Sequence, residues 1–102
     1  MRIFDKAAWQ IDNGVPYEIV EEHFSLVFNW LNEQGLLSAD GKEILDIGID
    51  ESVSLSDSLV TEDGAKFLEM FYEAMITQSS YDVSTEKQLL PEMYTKYKQG
   101  IN

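Results

Sequence analysis

Cysteine is absent from the 102-residue chain, which excludes disulfide bonds and thiolate metal sites. The only histidine, His23, cannot build a histidine-rich metal centre. The chain also lacks a phosphate-binding glycine loop and the Gly-x-Ser-x-Gly turn of serine hydrolases. We therefore expect a protein that is not an enzyme and that carries no cofactor and no metal ion.

Long apolar runs are missing as well. No stretch approaches the roughly 20 apolar residues that span a bilayer. Residues 1–6 reach a charge at once and never become the apolar run of a secretory leader. We expect a cytoplasmic protein that makes no membrane contact.

Positive charge is scarce. Seven lysines and arginines face 19 aspartates and glutamates, which gives a net charge of −12. Residues 84–102 hold three lysines against two glutamates, so the excess of acid lies in residues 1–83. Such a surface repels phosphate backbones and anionic lipids. It either favours basic partners or only keeps the protein in solution.

Apolar residues are plentiful enough for a folded core. Hydrophobic residues make up 44% of the chain and aromatic residues 12%, values that argue against disorder. A chain of this length can bury one core without covalent staples. We expect one domain over residues 1–102, with residues 78–84 linking it to a C-terminal helix.

The clearest predicted element is a central helix over residues 16–34. Pro16 suits a first helical position, where its missing N–H would be unpaired anyway, and Gly35 suits the end. The polar positions form one narrow stripe, and the rest of the circumference is apolar. A helix this apolar must be covered on several sides, so we place it at the centre of the core.

Four shorter helices are predicted around it, which makes the fold a mainly α bundle of about five helices. They cover residues 4–12, 38–47 after a Ser38 cap, 62–77 after a Thr61 cap, and 85–98. The last is favoured by the capping-box pair Thr85 and Gln88, and it contains Pro91. Residues 45–56 alternate with period two, so a short β-hairpin is an alternative there to the loop that we favour.

Two of these helices begin with the same pattern. Residues 37–46 and 60–69 both read as an apolar residue, a hydroxyl cap, any residue and Asp-Gly, and then, after two further positions, two apolar residues and an acid. One pair at one spacing does not make a periodic array. We interpret the likeness as two helices with the same kind of start rather than as a repeat.

Residues 35–38 and 59–68 resemble segments of winged-helix domains. There, a helix ends in Gly-Leu-Leu, a two-stranded wing follows, and a Leu-Thr-x-x-Gly segment opens the next helix. The resemblance covers about a third of the chain and implies a winged-helix-type transcriptional regulator. This chain departs from it because residues 16–34, the would-be recognition helix, contain four glutamates and no lysine or arginine. Direct nucleic-acid binding is therefore disfavoured.

The same acidity suggests the opposite function. Spaced carboxylates can compete for a basic groove that nucleic-acid phosphates would fill. An acidic, DNA-mimicking inhibitor of a nucleic-acid-binding protein is therefore an alternative.

Polar candidates for chemistry are few. His23 follows two glutamates and could act as a base, but we interpret it as a histidine packed at the core edge with a hydrogen-bond partner. Asp46, Asp50, Glu51 and Asp57 lack the order of a calcium loop, so we interpret them as solvated.

The C-terminal segment carries the predicted interaction site. Its aromatic and methionine side chains adjoin lysines and an acidic body, which suits docking to a protein partner or to a second copy in a homodimer. The alternative is that this helix packs on its own domain. The predicted partner-binding residues are Leu90, Met93, Tyr94 and Tyr97. The main hypothesis is therefore a small, acidic protein-interaction or regulatory domain.

Overall fold

Residues 2–100, the part of the chain that the computed structural model describes, fold into five α-helices and one short two-stranded sheet. This confirms the predicted mainly α fold. In chain order the elements are β1 (Ile3–Lys6), α1 (Ala7–Asp12), α2 (Tyr17–Glu33), α3 (Ala39–Ile47), β2 (Ser54–Ser56), a 3-10 turn (Asp57–Leu59), α4 (Glu62–Ser79) and α5 (Val83–Lys98). No helix among residues 2–100 is both long enough and apolar enough to traverse a bilayer.

Helix α2 lies at the centre of the core, as its apolar circumference predicts. It contacts α1, α3 and α5, and its inner side chains are almost completely buried. Each large aliphatic or aromatic side chain buried in this way contributes about 1.5–3 kcal/mol of hydrophobic stabilisation. The buried apolar side chains of α2 are Val20, Phe24, Val27, Phe28, Trp30 and Leu31.

The N-terminal segment differs from its prediction. Residues 3–6 form a strand instead of the first turn of a helix over 4–12. Strand β1 pairs antiparallel with β2, with Ile3 opposite Ser56 and Lys6 opposite Ser54. Residues 48–53 form a loop, and no hairpin forms within residues 45–56 because β2 takes β1 as its partner. The two-stranded wing that the winged-helix resemblance implies is not formed there.

Helices α3 and α4, which begin with the same sequence pattern, contact each other at their starts. Leu37 and Val60 form an antiparallel bridge, and the predicted caps Ser38 and Thr61 each accept a hydrogen bond from a glycine N–H three residues on. Gly41 lies against the Leu59 carbonyl, where an added Cβ would overlap the oxygen. An added Cβ on Gly64 would lie 2.8 Å from the Leu36 carbonyl oxygen. The shared pattern therefore serves a close approach of two helix starts.

The connection between α4 and α5 is a tight turn and not the predicted linker over residues 78–84. Helix α4 continues to Ser79, and Ser80 and Tyr81 adopt positive φ angles of 50° and 66°. Asp82 caps α5 and accepts hydrogen bonds from the Ser84 N–H and the Thr85 hydroxyl. Thr85 therefore lies inside α5 instead of capping it. This turn places Tyr81 over the end of the core.

Candidate functional site

A network of polar side chains lies inside the apolar core and joins β1, α2, α4 and α5. Its members come from positions far apart in sequence, and all but one are at least nine-tenths buried. Buried polar groups are tolerated when they are hydrogen-bonded. The buried members are Asp5, His23, Tyr72, Ser79 and Glu86, and the half-buried one is Tyr81.

His23 is the centre of this network and is fully buried. Its Nδ1 lies 2.8 Å from both carboxylate oxygens of Glu86, and its Nε2 lies 2.7 Å from the Tyr72 hydroxyl. Ser79 donates a further hydrogen bond to Glu86 at 3.0 Å. The sequence interpretation of His23 as a packed histidine with a hydrogen-bond partner agrees with this geometry. Both ring nitrogens are engaged within the chain.

Asp5 accepts four hydrogen bonds, two on each oxygen. The Lys6 N–H and the Gln10 amide donate to Oδ1 at 2.8 and 2.9 Å. The hydroxyls of Tyr72 and Tyr81 donate to Oδ2 at 2.6 and 3.0 Å. A carboxyl group that only accepts hydrogen bonds is ionised. Asp5 is therefore a buried carboxylate solvated by the protein.

The hydrogen bonds of the network form one continuous chain. Tyr72 lies between two partners, because its hydroxyl donates to Asp5 and its oxygen faces Nε2 of His23. His23 Nδ1 in turn faces the Glu86 carboxyl group. The chain therefore links Asp5 to Glu86 through Tyr72 and His23.

The two tyrosines of the network are held in the neutral form. Burial raises the pKa of Tyr72 well above its usual value, and the adjacent Asp5 carboxylate raises it further. Burial and the same carboxylate raise the pKa of Tyr81 in the same way. The phenol groups therefore remain hydrogen-bond donors over the whole physiological range. They hold Asp5 in place rather than supplying a phenolate base.

Alkali should destabilise the fold because of these tyrosines. Unfolded tyrosine ionises near pH 10.0, whereas folded Tyr72 stays protonated, so its stabilisation is complete below that pH and is lost as the pH rises further. We expect the free energy of unfolding to fall by about 1.4 kcal/mol per pH unit from Tyr72 alone. Tyr97, whose pKa a hydrogen bond to Asp63 and slight burial raise to about 12, adds to the loss between pH 10 and 12. Urea unfolding on both sides of pH 10 measures it.

A Tyr72→Phe variant is the control for this prediction. It starts from a lower stability, because Asp5 and His23 each lose a partner, but its stability should fall less steeply with pH. A parent protein whose stability is constant from pH 9 to about pH 11 would show that the network does not hold neutral phenols.

A surface groove opens directly above the network, between β1 with α1 on one side and α4 on the other. Its volume is about 220 Å³. Sites for drug-sized molecules and cofactors are larger, roughly 300–1,000 Å³, so the groove suits a single side chain. It is lined by Arg2, Phe4, Asp5, Trp9, Gln10, Leu68, Glu69, Tyr72, Glu73, Ile76 and Tyr81.

The two aromatic walls of the groove each attract a cation of the chain. The Arg2 guanidinium lies 5.1 Å from the Phe4 ring centre and bonds Glu69 at 2.9 Å. The Lys6 ammonium lies 5.5 Å from the Trp9 ring centre. Both distances are within the range of cation–π attraction. Trp9 nevertheless leaves 46% of its surface exposed.

The predicted partner-binding residues pack on the chain's own core. Leu90 and Met93 are buried, and Tyr94 and Tyr97 are half-buried. Both tyrosines contact the Phe67 ring edge-on, with ring centres 5.4 and 5.7 Å apart. The structure therefore answers the question left open by the sequence, because α5 covers its own domain.

The acidic candidates of the loop region do not converge. Asp50 accepts hydrogen bonds from the N–H and hydroxyl of Ser52, which makes a local turn and lowers the pKa of Asp50. Within residues 2–100, no group of three histidine, aspartate or glutamate side chains is arranged to hold a metal ion.

Comparison with known proteins leaves the function to be argued from this geometry. No family model, no curated protein and no solved structure matches the chain. The features available are the buried network, the groove above it and the distribution of surface charge.

Proposed function

We propose that the chain is a non-enzymatic protein-interaction domain that binds a basic segment of a partner protein. The observation that carries the proposal is the surface charge. Apart from Asp5 and Glu86, which are buried, and Asp57, which is half-buried, every acidic residue is exposed. Only two exposed ion pairs form within residues 2–100, Arg2 with Glu69 and Lys66 with Glu62. Most carboxylates are therefore free to attract a basic partner from solution.

The buried network supports a binding role over a catalytic one. A general base must reach its substrate within hydrogen-bond distance. His23 is fully buried and uses both ring nitrogens within the chain. Asp5 has its acceptor sites filled, and the neutral phenols of Tyr72 and Tyr81 point their protons at it. This arrangement fixes the positions of four elements and leaves no unpaired reactive group.

Besides its exposed carboxylates, the chain has exposed apolar side chains that could contribute to an interface. Aromatic and methionine side chains are enriched where proteins meet. Trp9, Tyr17, Ile19, Ile47 and Met70 are each more than a third exposed. Self-association through them is opposed by the net charge of −12, which makes two copies repel. A basic partner is therefore favoured over a homodimer.

DNA mimicry is a special case of this proposal. At the start of α2, the pKa of the exposed Tyr17 is raised, chiefly by the neighbouring Glu21 carboxylate and also by the charges of Glu51 and Asp50. Two segments thus bring carboxylates together beside an exposed aromatic ring. If the partner's basic groove binds nucleic acid, DNA should displace the chain from it.

Affinity capture from the native source, followed by reconstitution with the purified partner, tests the proposal. We expect a partner whose contacting segment is rich in lysine or arginine. The dissociation constant should rise at least about tenfold between low and physiological salt, because screening weakens attraction between exposed charges. Isothermal titration calorimetry over a salt series provides the measurement.

The outcome that would contradict the proposal is equally specific. A purified complex whose affinity is unchanged by salt, or whose contacts avoid the partner's basic residues, would show that the acidic surface is not the binding determinant. Sizing of the free chain is the control, since a stable homodimer at low salt would also contradict it.

A further inference from the structure

We propose that the groove between β1–α1 and α4 is the docking site for one arginine side chain of the partner's basic segment. The inference rests on the proposed function and names the site where it acts. The groove combines an exposed aromatic ring, Trp9, with two carboxylates one helical turn apart on α4, Glu69 and Glu73. An aromatic ring together with carboxylates is the combination that binds a planar cation such as the guanidinium group of arginine.

The charge around the groove favours a cationic occupant. Three carboxylates in the lining, Asp5, Glu69 and Glu73, outnumber two nearby cations, Arg2 in the lining and Lys6 over the Trp9 ring. Arg2 is paired with Glu69, whereas Glu73 makes no ion pair with any residue in the described range 2–100. Glu73 therefore remains available to a cation that enters from outside.

The chain itself shows how a guanidinium is held at this place. Arg2 lies over the Phe4 ring and bonds the Glu69 carboxylate, so one aromatic face and one carboxylate hold its head group. Trp9 and Glu73 offer the same two elements on the groove lining. Lys6 lies 5.5 Å from the Trp9 ring centre, yet 46% of the Trp9 surface remains exposed for an incoming side chain. Arginine is favoured over lysine because its planar head group stacks on a ring while it bonds a carboxylate.

The network beneath fixes the shape of the groove. Asp5, Tyr72 and Tyr81 belong both to the groove lining and to the network, and their hydrogen bonds tie β1 to α4 and to the turn after it. Side chains locked by such bonds present a preorganised surface, which lowers the entropy lost on binding. The floor of the groove is therefore rigid before a partner arrives.

Two peptides of equal charge test the inference. The first is a short lysine-rich peptide with one central arginine, and the second carries lysine in place of that arginine. We expect the arginine peptide to bind the parent chain about fivefold more tightly, because a planar guanidinium can stack on the ring and bond a carboxylate at the same time, whereas an ammonium cannot stack. Fluorescence anisotropy of labelled peptides at low salt measures both affinities.

Matched variants locate the effect. Trp9→Ala and Glu73→Gln should abolish the preference for arginine. The control Glu92→Gln removes an exposed carboxylate on α5, outside the groove, and should retain it. Glu73→Gln alters only an exposed side chain, so it remains informative if Trp9→Ala disturbs α1.

The alternative outcomes separate the two proposals. Equal affinity of the parent chain for both peptides, or an equal loss of the preference in groove and control variants, would overturn the groove as an arginine site while leaving acidic binding intact. No binding of either peptide at low salt would overturn the proposed function as well.

Discussion

Replacing Glu86 with alanine should lower the free energy of unfolding by about 3–5 kcal/mol, because it removes one partner of a buried, hydrogen-bonded acid–base pair and leaves the other unpaired. Glu86 is fully buried, and its carboxylate lies 2.8 Å from His23 Nδ1 and 3.0 Å from the Ser79 hydroxyl. Without it, both groups remain in the core with no acceptor. A small domain has only about 5–15 kcal/mol of stability in total, so this variant should be close to unfolding at room temperature. Urea denaturation measures the difference.

Two controls show whether this effect is specific to Glu86: a substitution elsewhere on α5, and a double variant that removes both Glu86 and His23. Glu92 is exposed on α5, and its replacement by alanine should change stability by no more than about 0.5 kcal/mol. The double variant His23→Ala with Glu86→Ala should cost less than the sum of the single variants, because the two side chains share one interaction. A Glu86→Ala protein as stable as the parent would show that the network is not a structural element.

The second large effect is expected at Gly41. An added Cβ there would overlap the Leu59 carbonyl oxygen, which is held in place by a hydrogen bond from the Ser38 N–H. Overpacking commonly costs 1–3 kcal/mol, and a clash with backbone belongs at the upper end, so Gly41→Ala should cost about 3 kcal/mol despite the better helix propensity of alanine. Thermal unfolding followed by circular dichroism measures the loss.

Two neighbouring positions serve as comparisons. Gly64→Ala should be milder, since its Cβ would lie 2.8 Å from the Leu36 carbonyl oxygen, a smaller overlap than the one at Gly41. Lys42→Ala, beside Gly41 on the exposed side of α3, should be nearly neutral. If Gly41→Ala stabilised the protein, as glycine-to-alanine substitutions at exposed helix positions usually do, the starts of α3 and α4 would not approach each other as closely as described.

Local signals predicted the helices well. Pro16 marked the start of α2 and Ser38 the start of α3, and the spacing of the apolar residues marked how far each helix runs. All of these signals act within a few residues. Thr61 capped α4 as expected for the same reason. The recurring Asp-Gly start also had a physical cause, although only the structure reveals that each glycine faces the other helix start.

Elements that depend on distant partners escaped prediction. Strand β1 exists because residues 54–56 lie beside it, about fifty positions away, and nothing within residues 3–6 indicates that pairing. The start of α5 was placed too late because Asp82, an equally good cap, precedes the capping-box pattern of Thr85.

The site itself was only partly visible in the sequence. His23 stood out as a single histidine on an apolar helix, but its partners come from other elements. One signal was available for Glu86, which is spaced four and seven residues before Leu90 and Met93 and therefore shares their buried helix face. Asp5 and Tyr72 carried no comparable signal, since both lay within predicted helices.

The buried network and the acidic surface have separate roles in this account. The network holds β1, α2, α4 and α5 together at one end of the core. The groove inherits its floor from that network and its acidic rim from α4. In the proposed function, a rigid floor with exposed carboxylates binds the partner without any reactive group.

Nuclear magnetic resonance of the 15N-labelled chain during titration with the arginine-containing peptide tests the central claim most directly. The NMR signals of the Trp9 indole N–H and of the Phe4 and Glu73 amides should change chemical shift first and most. The signal of the buried Trp30 indole should keep its chemical shift. Shifts spread evenly over the acidic surface, or no shift at the groove at saturating peptide, would contradict the account.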